Sequence, residues 1–148
     1  MLIFIYSGWR ISELLALTPA DVDLSAGTMK GGTKTKAGKN RIVPIHSKIR
    51  PLVENRLSEG GPRLICSKGK PISDQQYRRF WAALMDTLHM KHTPHECRHT
   101  FETRLDSAGA NRKCIDLMMG HVSKDVGNRV YNHKTLEELK TAIELLTI

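Results

Sequence analysis

The sequence predicts an α+β domain that is predominantly α-helical and carries a small three-stranded antiparallel sheet. Most of the chain has apolar residues at helical spacing, bounded by capping signals. One segment differs, with three short runs of strand-forming residues separated by turns: Val22–Leu24, Thr28–Lys30 and Arg41–Ile45. At 148 residues, of which 40% are hydrophobic, the chain can bury one core, so we predict one domain over residues 1–148.

Two short helices are predicted before the sheet. The apolar run Met1–Tyr6 is typical of the last turns of a buried helix, which Gly8 ends. No capping residue precedes it, and this suggests a domain excised from a longer protein. Ile11–Leu17 is predicted as the second helix, and Thr18-Pro19 as the start of a further turn.

Helices are also predicted to follow the sheet. Ser47–Leu57 is expected to be helical up to the Gly60-Gly61-Pro62 break. Ser73 is a capping residue for an amphipathic helix. The apolar stripe of that helix consists of Tyr77, Phe80, Trp81, Leu84 and Leu88.

The clearest helix start is Thr93-Pro94-His95-Glu96, which combines an N-cap threonine, a proline at the first helical position and a glutamate at the third. Gly109 is expected to end this helix. Asn111 and Gly120 bound the next one, and Ser123 caps a short helix before Tyr131.

The final helix is predicted to begin at a capping box of Thr135 and Glu138. Its apolar face consists of Leu136, Leu139, Ile143 and Leu146. This face can dock on its own domain or on a neighbouring protomer, and the sequence leaves both open.

The charge pattern favours a polyanionic partner. The chain has 23 basic and 15 acidic residues, a net charge of +8. An ordinary basic protein would also have such an excess, but residues 30–50 contain seven cations and no acidic residue. Within this segment we expect DNA contacts from Lys30, Lys36, Lys39 and Arg41.

Other features limit the class of protein. The three cysteines have no paired metal-ligand spacing, which indicates reduced thiols. The longest strongly apolar run, Met1–Tyr6, is far too short for a membrane span and lacks the basic start of a signal peptide. We therefore expect a cytoplasmic protein with no membrane partner.

Four residues spread along the chain together suit phosphate chemistry: Arg10, Arg98, His121 and Tyr131. Two arginines can hold the oxygens of a phosphodiester, a histidine can donate a further hydrogen bond, and a tyrosine hydroxyl can attack phosphorus. His95 lies one helical turn before Arg98, in the first turn of a helix, where backbone N–H groups favour anions. Such a site would cut and rejoin nucleic acid without a metal or cofactor.

Four segments of the chain, SGWRISELLALT, HECRH, LMMGH and RVY, resemble the catalytic domain of tyrosine recombinases, the phage integrase family. The resemblance covers nearly the whole chain and implies the fold of DNA breaking-rejoining enzymes. It implies that Arg10 and Arg98 clamp the phosphate, and that His95 and His121 are the two site histidines. It further implies that Lys34 protonates the leaving 5′ oxygen and that Tyr131 is the nucleophile.

The resemblance also implies partners. The substrate would be double-stranded DNA, cleaved through a 3′-phosphotyrosine intermediate for integration or excision of a mobile element. A DNA-binding domain would precede this one, and four protomers would surround two DNA segments, exchanging C-terminal elements.

Several alternatives remain open at this stage. Arg10 could simply pair with Glu13, and Lys36 could take the role given to Lys34. The HECRH segment also spells the H-E-x-x-H signature of zinc metalloproteases, although Arg98 would place a cation beside the metal. A type IB topoisomerase and a non-catalytic DNA-binding domain are the remaining classes.

Overall fold

The computed structural model describes residues 1–32, 38–121 and 134–148. In these ranges the chain is mainly helical, as predicted. The helices are α1 (Leu2–Ile5), α2 (Ile11–Leu14), α3 (Arg50–Ser58), α4 (Asp74–Thr87), α5 (Pro94–Ser107), α6 (Arg112–Met119) and α7 (Leu136–Glu144). Two 3₁₀ turns, Pro19–Asp21 and Ser47–Ile49, precede β1 and α3.

The predicted three-stranded sheet is confirmed. It consists of β1 (Val22–Asp23), β2 (Thr28–Gly31) and β3 (Arg41–Pro44), all antiparallel, with β2 in the centre. A second hairpin, β4 (Cys66–Ser67) with β5 (Lys70–Pro71), was not predicted.

The core forms where α5 meets α1 and α6. Trp9, Phe101 and Ile115 are completely buried there. Helix α6 also packs against β3, and α7 packs against both α6 and β3. The sheet and the carboxyl-terminal helices therefore pack against one another, and α6 connects them to α5.

The apolar stripe predicted for α4 is only partly buried. Trp81 and Met85 face the core, whereas Phe80 is 55% exposed and Leu88 is 44% exposed. Phe80 borders an open groove together with Leu2 and Leu52, which are also exposed. One edge of the apolar face of α4 therefore borders this groove instead of the core. The spacing of apolar residues in the sequence does not show which edge of the face is exposed.

Helix α7 docks on its own domain. Leu139, Ile143 and Leu146 are buried, and the His46 ring nitrogen Nε2 lies 3.0 Å from the carbonyl oxygen of Leu146. The hydroxyl of Tyr6 donates a 3.2 Å hydrogen bond to the carbonyl oxygen of Ile148. In the isolated chain this helix therefore packs on its own domain.

Within the ranges that the structure describes, no helix combines the length and the apolar character needed to cross a bilayer.

Candidate active site

The first part of the site is the turn that leads into α2. Gly8 has a φ of +63°, and a Cβ atom there would lie 2.5 Å from the ring of Phe101, so only glycine fits. The chain then enters α2 with Arg10 at the N-cap position. The Arg10 backbone N–H donates to Oε2 of Glu13 at 3.1 Å, and its Nη1 donates to Oε1 at 3.3 Å. The side chain of Arg10 remains 22% exposed and accessible to a ligand.

Arg98 lies beside this turn, on the buried face of α5. Its Nη1 donates to the carbonyl oxygen of Gly8 at 2.6 Å, and its Nη2 donates to the carbonyl oxygen of Met119. The same Nη2 is 3.2 Å from Nε2 of His121. Arg98 therefore joins the turn before α2 to the end of α6.

Burial and, to a lesser extent, the nearby cations Arg10 and Arg41 lower the pKa of Arg98 to about 10. The guanidinium is still charged at neutral pH. A cation that is desolvated and close to other cations gains more from binding an anion than an exposed one does. The surroundings of Arg98 thus favour phosphate.

His121 reaches the site from the turn after α6. Gly120 adopts a left-handed conformation there, with a φ of +65°, and the His121 backbone N–H donates to the carbonyl oxygen of Asp116 at 2.9 Å. Burial, followed by the charge of Arg98, lowers the pKa of His121. At pH 7 the ring is neutral, and its Nε2 accepts from Arg98 while Nδ1 lies 3.9 Å from carboxylate oxygens of Glu102 and Asp116.

His95 is exposed in the first turn of α5, on the side of Arg98. Desolvation lowers its pKa, and the neighbouring His99, Arg98 and Arg10 add to the shift. The rings of His95 and His99 stand edge to face with centroids 4.8 Å apart. A neutral imidazole at this position can accept a proton.

Glu96 acts as the capping residue that the sequence predicts. Its Oε1 accepts from the backbone N–H of Thr93 at 2.9 Å, and its Oε2 lies 2.6 Å from Nδ1 of His92. These contacts occupy the carboxylate that a zinc metalloprotease would use as its general base. Among the described residues, no three His, Cys, Asp or Glu side chains are grouped as in a metal site.

Arg41, for which a DNA contact was predicted, has a buried side chain in this structure. Its Nη2 and Nη1 donate to the two oxygens of Glu13 at 2.7 and 3.2 Å, and its Nε donates to the carbonyl oxygen of Met118 at 2.8 Å. The guanidinium also lies 4.1 Å from the ring centroid of Trp9. A run of cations in a sequence does not reveal which member points inward.

Glu13 and Arg41 were therefore not recognised as members of the site. The sequence offered one signal, since Glu13 lies three residues after Arg10, where a carboxylate can reach the N-cap backbone N–H. Its partnership with Arg41 connects distant parts of the chain and has no local signature. Hydrogen bonds and ion pairs with Arg41 and Arg10 lower the pKa of Glu13 to about 2, against the effect of burial.

The remaining predicted residues divide into two groups. Lys30 and Lys39 are exposed, as a DNA contact requires. Lys34, Lys36 and Tyr131 lie outside the described residues, as does the helix expected after Ser123. Their roles stay predictions.

Comparison with known proteins identifies the family of the chain. The model of the phage integrase family matches residues 1–138. The tyrosine recombinase XerC of Thermodesulfovibrio yellowstonii is 33% identical over an alignment of 153 residues, which covers 93% of this chain and 50% of the relative. The tyrosine recombinase XerA of Thermococcus kodakarensis is 31% identical, over 93% of this chain and 51% of the relative.

Solved structures give the same result for the fold. The integrase of mycobacterium phage Brujita has a TM-score of 0.73 at 21% identity, over 99% of this chain and 50% of its own. The Tn1549 transposon integrase, in complex with circular intermediate DNA, has a TM-score of 0.71 at 25% identity, over 97% and 55%. The chain spans about half the length of the relatives it matches. With a family model matched over residues 1–138, and with this fold, the chain belongs to the phage integrase family.

Proposed function

We propose that the chain is the catalytic domain of a site-specific tyrosine recombinase, which cleaves and rejoins double-stranded DNA for integration or excision of a mobile element. The observation that carries this proposal is the convergence of Arg10, Arg98 and His121. Arg98 contacts both the turn before Arg10 and the ring of His121. Three donors placed in this way can surround one phosphodiester.

The described residues would act on the phosphate. Arg10 and Arg98 bind its non-bridging oxygens and neutralise the charge that develops on them in the transition state. His121 donates a further hydrogen bond once the anion raises the proton affinity of its ring. His95, neutral at pH 7, takes a proton from the attacking hydroxyl.

Two residues outside the described ranges complete the proposed reaction. The Tyr131 oxygen forms a bond to phosphorus, the bond to the 5′ oxygen breaks, and a 3′-phosphotyrosine results. Lys34 gives its proton to the leaving 5′ oxygen. A 5′-hydroxyl from another strand then attacks the phosphotyrosine, giving its proton back to Lys34, while His95 returns a proton to the departing Tyr131 oxygen. The number of phosphodiester bonds is conserved, and the proposed reaction uses neither a metal nor a cofactor.

Partners follow from the same proposal. Duplex DNA would approach along the exposed Lys30 and Lys39, mostly through phosphate contacts. Four protomers would assemble around two duplexes. Light scattering with and without DNA would measure this assembly, and a complex that stays at one protomer per duplex would contradict it.

The deciding experiment is covalent capture in EDTA. The chain would be incubated with a pool of nicked duplexes of randomised sequence, which trap a cleaved strand, and then denatured in SDS. We expect a stable protein–DNA adduct that disappears in Tyr131→Phe. Formation in EDTA would also exclude the zinc metalloprotease class.

The matched control is Tyr77→Phe. Tyr77 packs between Phe4 and Trp81, and burial raises the pKa of its hydroxyl to about 12, so it is a poor nucleophile. This variant should form the adduct as the parent chain does. An adduct that persists in Tyr131→Phe would assign the nucleophile to another residue.

A further inference from the structure

Arg41 is buried inside the site, and each of its guanidinium nitrogens donates a hydrogen bond within the protein. Its three guanidinium nitrogens donate to Glu13, to the carbonyl oxygen of Gly38 and to the carbonyl oxygen of Met118. One face of the guanidinium covers Trp9, the residue next to Arg10. The side chain is 3% exposed and therefore has little access to solvent or DNA.

The glycines near Arg41 leave room for its side chain. A Cβ atom on Gly32 would lie 2.5 Å from Nη1 of Arg41, and one on Gly120 would lie 3.2 Å from its Cδ. Gly120 directly precedes His121. The guanidinium thus touches the turn that holds His121 and the helix that holds Arg10.

The carboxylate of Glu13 is shared unequally between two arginines. Arg41 binds both oxygens, at 2.7 and 3.2 Å, whereas the side chain of Arg10 reaches one oxygen at 3.3 Å. Glu13 is fully buried and ionised, so it needs a cation within reach. Arg41 supplies that charge, and the guanidinium of Arg10 keeps donors that face solvent.

We propose that Arg41 is a positioning residue of the active site, which binds Glu13 so that Arg10 remains available to the phosphate. Without Arg41, the buried carboxylate would have Arg10 as its remaining arginine partner and would compete with the phosphate for it. This inference rests on the proposed function, in which Arg10 is a phosphate ligand. It adds to that proposal the residue that keeps Arg10 free to bind the phosphate.

The test measures binding of inorganic phosphate at constant ionic strength, followed by the NMR signals of the histidine rings. The loss of phosphate affinity in Arg10→Met measures how much of the binding takes place at this site. We expect Arg41→Met to weaken phosphate binding about 10–100-fold, the usual effect of removing a group that orients a ligand. Arg56→Met is the matched control, because Arg56 forms an exposed pair with Glu59 elsewhere, and it should bind phosphate as the parent does.

A second substitution separates positioning from simple loss of packing. In Glu13→Gln/Arg41→Met the competing carboxylate is gone, so phosphate affinity should return to within about threefold of the parent chain. This loss is much smaller than the one expected for Arg41→Met alone. If Arg41 acted only through packing, the double variant would stay as weak as Arg41→Met. That result would overturn the proposal, as would parental affinity in Arg41→Met.

If Arg41→Met alone does not fold, a comparison of two other variants still tests the proposal. Removing both members of a buried ion pair is better tolerated than removing one, so the double variant can then be compared with Glu13→Gln. Equal affinities support the proposal, and a tenfold or larger deficit in the double variant contradicts it. If Arg10→Met binds phosphate as the parent does, the phosphate clamp itself is wrong, which distinguishes that failure from a failure of Arg41.

Discussion

Arg98 donates a 2.6 Å hydrogen bond to the carbonyl oxygen of Gly8, across 90 residues of sequence. The carbonyl is available because Gly8 takes a left-handed conformation in contact with Phe101. One arginine therefore fixes the turn before α2 and, through its second terminal nitrogen, the end of α6. Its planar shape permits both contacts at once, which the single amine of a lysine cannot reproduce.

We therefore expect Arg98→Lys to reduce the single-turnover rate of DNA cleavage by about 10²–10³-fold, the effect of losing one donor to a transition-state oxygen. Arg104→Lys is the control, because Arg104 is exposed on the same helix, and it should leave the rate unchanged. Thermal melting of both variants would show whether the domain is intact. A folded Arg98→Lys protein that cleaves at the parental rate would remove Arg98 from the proposed mechanism.

The turn that presents His121 should not tolerate a side chain at Gly120. A Cβ atom there would lie 2.7 Å from the Cα of Gly38. Gly109 is a matched control, because its φ of +76° is also left-handed but a Cβ atom would meet nothing within 4 Å. Gly109→Ala should cost about 1 kcal/mol of unfolding free energy from backbone strain, and Gly120→Ala a further ~1–3 kcal/mol from the clash.

Urea denaturation of the two alanine variants would measure these costs. Equal destabilisation would mean that Gly38 and the turn after α6 are not in contact in solution. Phosphate binding to Gly120→Ala should also weaken, since His121 is the next residue, whereas Gly109→Ala should bind normally.

Because α7 packs on its own domain, shortening a buried side chain in this region should cost more stability than shortening an exposed one. Ile143 is fully buried, and Ile143→Ala should destabilise the chain by about 2–5 kcal/mol. Leu145, two residues later, is 41% exposed, and Leu145→Ala should change stability by no more than about 0.5 kcal/mol. The measurement must be made on monomer, verified by light scattering. Similar, small effects of both changes would indicate that the helix docks elsewhere.

Acid should weaken the domain through Glu13. Its pKa is about 2 in the folded chain, against an ordinary value of 4.5, so its ionised form stabilises the fold above pH 4.5. This contribution, at most about 3 kcal/mol, is lost as the pH falls from 4.5 towards 2. Glu13→Gln should therefore give a shallower decline of unfolding free energy across that range than the parent chain.

The control for acid unfolding is Glu59→Gln, since Glu59 pairs with Arg56 at an exposed position and the change removes an equal charge. It should keep the parental decline. If Glu13→Gln declines as steeply as the parent, the buried pair of Glu13 and Arg41 is not formed in solution.

Local signals in the sequence were sufficient for most of the fold. Thr93 and Glu96 cap α5, Asn111 caps α6, and Gly120 ends it, because each of these effects acts within a few residues. The three strands were also predicted, since turns separate them. Exposure of Phe80 was not, because it depends on which neighbouring elements pack against α4.

Candidate site residues were predicted from their chemistry and from family resemblance, and the structure brings Arg10, Arg98 and His121 together. The burial of Arg41 was not predicted. Its neighbours in sequence are exposed cations, whereas its partner Glu13 lies 28 residues away, and local composition contains no information about such a pair. Long-range ion pairs are the part of this site that only the fold determines.

The contacts of Arg98 also have a consequence for biosynthesis. During synthesis, Gly8 and Arg10 leave the ribosome well before Met119. The carbonyl oxygen of Met119 completes the Arg98 contacts, so these contacts can form only after residue 119 has emerged. Contacts between distant residues form late in folding, because a long loop must close first. A nascent or prematurely terminated polypeptide that lacks Met119 therefore cannot complete the contacts of Arg98.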